Sequence, residues 1–233
     1  MEIQIGVAKI NKYASSESGD SLEVVERPNG GLSIVLADGQ RSGTSAKRIS
    51  NMVVRKVVSL LAEGVRDGPA ARAASDYLYS MLGGKVLSTL NILSVDLETS
   101  SLVISRNNPS PIYYLDNSEP VCMDELSQPV GVYRNTKPII TELPLKPGLT
   151  VVAFTDGLIT AGHRKSQHLD IPTELVKCRD QDFSAQQIAD TLIEIALDLD
   201  DQRPIDDVSI LVLVVSPKKG DQVRRMSVQL PLK

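Results

Sequence analysis

The chain has 233 residues, 42% of them hydrophobic and 23% charged, and a net charge of −4, a composition ordinary for a globular protein with a sizeable core. The absence of Trp, an aromatic content of 3% and the lack of any basic tract argue against a stacking platform or phosphate-neutralising surface for nucleic acid. No run approaches the ~18 apolar residues of a membrane span. Met1 to Ile5 lacks the basic and apolar regions of a signal peptide. Cys122 and Cys178 form no CxxC pair and read as reduced, buried thiols. A cytoplasmic protein forming one domain, 1–233, is expected.

In chain order, Gln4 to Lys9 and Leu22 to Arg27 read as strands separated by a loop of turn formers, Asn11 to Gly19. Pro28-Asn29-Gly30-Gly31 reads as a hairpin turn leading into Leu32 to Ala37. The unbroken apolar run Ile34 to Ala37 fits a strand buried on both faces and closed by Asp38-Gly39. Since Asp20 opens one strand of the hairpin and Asp38 ends the other, antiparallel pairing puts both acids at the same edge.

From Ser45 the apolar period lengthens. Ile49, Met52, Val53, Val57 and Leu60 mark one helix face, and Val54, Val58 and Leu61 a second. Asp67-Gly68-Pro69 restarts a helix whose inner stripe is expected at Ala70, Ala73, Ala74, Tyr77, Leu78 and Met81, stopped by Gly83-Gly84. Strands are then expected at Leu87 to Leu97, Leu102 to Asn107, Ile112 to Leu115, near Val121-Cys122, and at Lys137 to Leu143 and Thr150 to Phe154. Ser184 to Gln187 reads as a capping box opening a helix with Ile188, Leu192, Ile195, Ala196 and Leu199 inward. Val208 to Val215 is the most hydrophobic strand, and Val223 to Leu230 alternates as a last one would. Short turns between consecutive strands, with helices after the third strand and near the C-terminus, imply an α+β fold. The expected architecture is a four-layer αββα sandwich of two antiparallel sheets flanked by helices.

Asp20, Asp38, Asp156 and Asp206 each stand where an apolar strand meets a loop. Either Asp-Gly alone is more often a turn than a ligand, but four acids at strand ends can meet in one cleft, where their repulsion calls for a cation. Oxygen donors with no His among them select Mg²⁺ or Mn²⁺ over Zn²⁺. Glycine after the acid lets a backbone carbonyl turn toward an ion.

The segments Ser18-Gly19-Asp20, Ala37-Asp38-Gly39 with Ser42-Gly43 and Ala46, Asn108-Pro109-Ser110-Pro111, Gln128-Pro129-Val130-Gly131, Leu145-Lys146-Pro147-Gly148, Thr155-Asp156-Gly157 and Asp206-Asp207-Val208-Ser209 resemble, in order, those of protein phosphatase 2C-like enzymes. The likeness is to the bacterial subgroup typified by stage II sporulation protein E and the stress-response phosphatases that act on anti-anti-sigma factors, and it covers nearly the whole chain. It implies two Mn²⁺ or Mg²⁺ ions and hydrolysis of phosphoserine or phosphothreonine by a metal-activated water, without a phosphoenzyme. Carried over by motif, Asp38 would bridge both metals and the attacking water, Gly39 would ligate through its carbonyl, and Asp20, Asp156 and Asp206 would complete the centre, with Asp207 in support. The helix pair Ser45 to Gly64 and Pro69 to Leu82 matches the pair that in this subgroup couples partner binding to metal-site geometry.

Two departures stand out. Gln40 occupies the place where animal-type relatives carry a His proposed as general acid, and Ser15 and Ser16 stand near the first acid where those enzymes have a phosphate-binding Arg. The general acid and the substrate-binding side chain are thus unassigned. His163, Arg164, Lys165 and His168 read as a solvated polar segment. The expected function is a metal-dependent protein serine/threonine phosphatase acting on a phosphorylated, anti-anti-sigma-factor-like regulator, controlled by a partner or by expression level. A partner-binding module that keeps the fold without catalysis and a small-molecule phosphohydrolase are the alternatives.

Overall fold

The computed structural model describes residues 1–116, 118–217, 221 and 223–231. Ten strands form two five-stranded sheets in which every pairing is antiparallel. One runs β1 (Glu2–Ile10), β10 (Val208–Ser216), β9 (Leu149–Phe154), β6 (Ile112–Asp116), β7 (Val121–Met123). The other runs β2 (Asp20–Glu26), β3 (Leu32–Asp38), β4 (Leu90–Asp96), β5 (Ser101–Asn107), β8 (Ile139–Pro144). Because the side-chain period of a strand is two, each central strand faces two cores at once. Ile34 and Leu36 of β3 meet Leu211 and Leu213 of β10 and Val151 and Ala153 of β9 between the sheets. Val35 and Ala37 point the other way, onto helices α1 (Gly43–Ala62) and α2 (Asp67–Leu82). On the opposite side, past the single turn α3 (Gly157–Thr160), Val152, Phe154, Ile210 and Val212 pack under α4 (Ile171–Asp180) and α5 (Ala185–Leu199). Helix, sheet, sheet, helix is the expected four-layer sandwich.

Local chemistry accounts for the boundaries. The capping box at Ser184 forms as expected, Ser184 accepting from the Gln187 N–H and Gln187 reaching back to the Ser184 N–H. Helix α2 stops at Gly83, whose φ of +65° is left-handed and suits a residue without Cβ. Helix α4 was not anticipated. Its signals are Asp170, which accepts from the Thr173 N–H, and Pro172 in the first turn, in a segment otherwise too polar for a clear stripe.

Three expectations are corrected. Val223 to Leu230 is not a strand: Met226, Val228 and Leu230 are exposed, and the segment touches the body through Arg224, which reaches Glu26 and the Gly30 carbonyl. Alternation alone does not make a strand: among the described residues the segment pairs with neither sheet, and its alternating apolar side chains stay in solvent, so pairing there would gain no burial. Cys122 is exposed, because β7 is a three-residue edge strand, whereas Cys178 is buried as expected, and both are free thiols. On α2 the buried stripe is Ala70, Ala71, Ala74, Ser75 and Leu78, so Tyr77 and Met81 face out. No helix among the described residues is long and apolar enough to cross a membrane.

Candidate metal centre

The hairpin of β2 and β3 pairs Asp20 directly with Asp38, so the two acids sit side by side at one end of their sheet. In the other sheet β9 and β10 run antiparallel with Phe154 opposite Ile210, and the Thr155 N–H continues the ladder to the Ser209 carbonyl. This places Asp156, just past β9, and Asp206, just before β10, at a common end.

A set of buried hydrogen bonds brings those two ends together. Thr155 Oγ1 and Ser209 Oγ, from one sheet, donate to Asp20 Oδ2 of the other at 3.0 and 2.6 Å. Asp207, 4% exposed, accepts the Lys12 N–H on Oδ1 at 2.9 Å and the Gly19 N–H on Oδ2 at 2.7 Å. A carboxylate, which accepts on both oxygens, matches two converging backbone donors where an amide would present one donor of its own. On the far side of Asp38, its N–H donates to Thr89 Oγ1 and its carbonyl accepts from the Ser88 Oγ and the Thr89 N–H. Ser88 in turn exchanges backbone bonds with Val130, so the Gln-Pro-Val-Gly segment braces the strand end that carries Asp38.

Gly39 lies against α1. A Cβ there would fall 2.1 Å from the Ala46 carbonyl oxygen, so only glycine lets the helix approach the turn beside Asp38.

The electrostatics follow from this crowding. Burial, then the charges of Asp20, Asp156 and Asp206, push the Asp38 carboxyl up to about 9. Burial also raises Asp20, against the stabilising hydroxyls of Ser209 and Thr155 and the charge of Lys9. Asp156 keeps contact with solvent, yet the protein around it and then Asp206 raise its carboxyl too. Two lysines, Lys9 from β1 and Lys47 from α1, both donate to the Asp20 backbone carbonyl at 2.6 Å. Burial and then Lys47 lower Lys9 to about 8.

Do these residues fit metal ions? Asp20 Oδ1 is buried and has no hydrogen-bond partner, beside a second carboxylate whose charge is opposed by its neighbours. An orphaned carboxylate oxygen in an acidic cleft costs free energy unless a cation meets it. The donors are all oxygen, as hard divalent ions prefer. Among the described residues no three His, Cys, Asp or Glu side chains close a metal shell by themselves. The remaining positions would fall to backbone carbonyl and water, as Mg²⁺ in particular favours. The cleft fits.

Of the other residues weighed in the sequence, Gln40 is occupied structurally, its Oε1 accepting the Leu87 N–H. His163, Arg164 and Lys165 form an exposed single turn in which Arg164 donates to the Arg203 carbonyl and Lys165 pairs with Asp201. Sequence reasoning gave no role to Thr155, Ser209, Ser88, Thr89, Lys9 or Lys47. Thr155 and Ser209 lay inside quoted motifs, whereas the others act across distant elements and left no local pattern.

The fold and its acidic end define a class, the PP2C-type phosphatase domain. The phosphatase domain of SpoIIE from Bacillus subtilis, solved with a fragment of its regulatory domain, superposes with a TM-score of 0.78 at 21% identity over 92% of this chain and 64% of that one. The chain thus spans about two thirds of that solved protein. RsbX in complex with magnesium matches at a TM-score of 0.72 and 20% identity, over 92% and 96% of the two chains. The catalytic domain of the serine/threonine phosphatase PstP with two manganese ions matches at 0.69 and 17%, over 92% and 99%. Comparison with curated protein sequences returns no match. Within the class, the family model described as stage II sporulation protein E matches residues 28–216, and the chain belongs to that family.

Proposed function

We propose that residues 1–233 form one catalytic domain of a Mn²⁺- or Mg²⁺-dependent protein serine/threonine phosphatase, whose substrate is a phosphorylated bacterial signalling regulator of the anti-anti-sigma-factor kind. The observation that carries the reading is the buried Asp20 Oδ1, without a hydrogen-bond partner and paired across β2–β3 with Asp38, whose carboxyl the charges of Asp20, Asp156 and Asp206 all raise. Family membership and the fold shared with phosphatase domains support it. Asp38 would be the ligand shared by two ions, with the Gly39 carbonyl on one side and Asp20, Asp156 and Asp206 completing the set. When bound, the ions would supply a water of lowered pKa and offset charge on the phosphoryl group. The residues of the chain prepare that event. Ser209 and Thr155 fix the rotamer of Asp20, Asp207 ties the 11–19 loop beside it, and Ser88 and Thr89 hold the strand end of Asp38.

The rival reading is a partner-binding module that keeps the fold without catalysis. Turnover of p-nitrophenyl phosphate and of a phosphoserine peptide, with Mn²⁺, Mg²⁺ or chelator, separates the readings. Metal-dependent hydrolysis that disappears in Asp38→Ala is expected. Absence of Mn²⁺ binding by the wild type would favour the binding module, and activity on small esters alone would point to a small-molecule phosphohydrolase.

A further inference from the structure

Helix α1 carries Lys47, Arg48, Arg55 and Lys56 and not a single Asp or Glu, in a protein whose net charge is −4. Its buried stripe, Ile49, Val53 and Val57, faces the sheet, so the charged positions are turned to solvent. There they line an open groove of about 570 Å³ that continues onto Tyr77 of α2. The ammonium of Lys56 lies 5.8 Å from the centre of the Tyr77 ring. Glu17, from the loop before Asp20, is the acid that borders this groove among the described residues, and no ion pair joins it to the cations. Arg48, Arg55 and Lys56 likewise have no carboxylate partner among the described residues.

The groove has a direction. At one end Lys47 holds the Asp20 backbone carbonyl, and its neighbour Ala46 packs on Gly19 and Gly39, the glycines beside Asp20 and Asp38. Nine helical steps lead from Lys47 to Lys56, a rise of ~13 Å. An extended peptide covers that length with about four residues at ~3.3 Å each. A chain whose phosphorylated residue lay in the acidic cleft would therefore meet cations over the next few positions on the α1 side.

We propose that this groove docks an acidic segment of the substrate protein, so that phosphoserine or phosphothreonine flanked on one side by Asp or Glu within about four positions is the favoured substrate. The proposal rests on the phosphatase reading for its substrate and on the groove alone for its binding. Unpartnered cations on an acidic protein attract an anionic segment while the rest of the surface repels it. The cations also account for how an acidic cleft can admit an acidic chain: they lie beside the entry and offset the field there.

The test measures binding and turnover separately, on the full chain. Fluorescence anisotropy in chelator, at low salt, follows an eight-residue peptide with four consecutive Glu, its counterpart with Lys, and a single-stranded oligonucleotide of matched charge. The Glu peptide is expected to bind at least tenfold tighter than the Lys peptide, and to weaken at least tenfold in Arg55→Glu/Lys56→Glu and as salt is raised. Arg48→Glu, tested alone, supplies a second variant, with circular dichroism confirming the fold of each. Equal affinity in wild type and both folded variants overturns the proposal, as does tighter binding of the oligonucleotide, which would make the groove a nucleic-acid site. Turnover of phosphoserine peptides with Mn²⁺ then reads KM against kcat, and a KM about tenfold lower for the acid-flanked peptide is expected. Turnover with no such KM difference would overturn the docking role and leave the phosphatase standing. Acidic-peptide binding with no turnover would do the reverse.

Discussion

Replacing Asp38 by Asn should make the metal-free protein more stable while removing its metal response. In the fold, burial and three neighbouring acids push the Asp38 carboxyl up to about 9 from an ordinary 3.8. Between those values the folded protein keeps a proton that the unfolded chain releases, so stability falls as pH rises through that window. At pH 7 the gap above 3.8 corresponds to ~4 kcal/mol at ~1.4 kcal/mol per unit, a ceiling reached only if the carboxyl stays fully neutral. Sharing of the proton with Asp20 and access of solvent to the cleft reduce this to about 2 kcal/mol, or ~4–8 °C in Tm for a chain of this size. Asn is isosteric, carries no charge, and can donate toward the Asp20 oxygen that lacks a partner. Thermal unfolding in chelator at pH 5 and pH 8 is the assay. Asp38→Asn should exceed wild type at pH 8, and by less at pH 5. Mn²⁺ at a hundred times its Kd should raise wild type by ~2.7 kcal/mol and the variant by much less. A variant as unstable as wild type at pH 8, or a gap independent of pH, would refute the crowding of these acids.

Three further outcomes are expected. Asp207→Ala leaves the Lys12 and Gly19 N–H groups without their acceptor, and should cost ~2–4 kcal/mol in urea unfolding, with Asp207→Asn retaining part of it. Gly39→Ala sets a Cβ 2.1 Å from the Ala46 carbonyl oxygen and must displace α1. It should destabilise by ~1–3 kcal/mol and weaken Mn²⁺ binding in calorimetry, since the same backbone carries Asp38. Arg27 and Asp67 form a largely buried pair at 3.1 Å, with side chains 13% and 6% exposed, so Arg27→Met should cost ~3 kcal/mol in denaturant. The double variant with Asp67→Leu should recover much of that loss, because no unpartnered buried charge then remains.

Much of the fold could be read from sequence because its signals are local. The Asn29-Gly30 turn sets the β2–β3 register, and that register alone brings Asp20 opposite Asp38. The capping box at Ser184 and the apolar runs of β3, β9 and β10 likewise declare themselves within ten residues. The failures share a different cause. Val223 to Leu230 has a strand's alternation, but alternation states what a strand would bury, not whether the rest of the fold covers that face. Tyr77 and Met81 satisfy helical spacing equally well on the buried or the exposed flank, and only the sheet beneath α2 decides between them.

The same distinction separates the two halves of the candidate site. That the four acids stand at strand ends could be read from sequence because each ends or opens an apolar run. What orients them is non-local: Ser209 reaches Asp20 across 189 residues, Asp207 reaches Gly19 across 188, and Ser88 reaches the Asp38 carbonyl across 50. The first two link the two sheets at one end of the sandwich, and the third braces the end of β3 within its own sheet. The repulsion built up among Asp20, Asp38 and Asp156 therefore cannot relax by parting the sheets without breaking buried hydrogen bonds. A cleft held closed against its own charge would bind a cation more tightly than the same four carboxylates on free loops, because the cost of assembling them was met during folding.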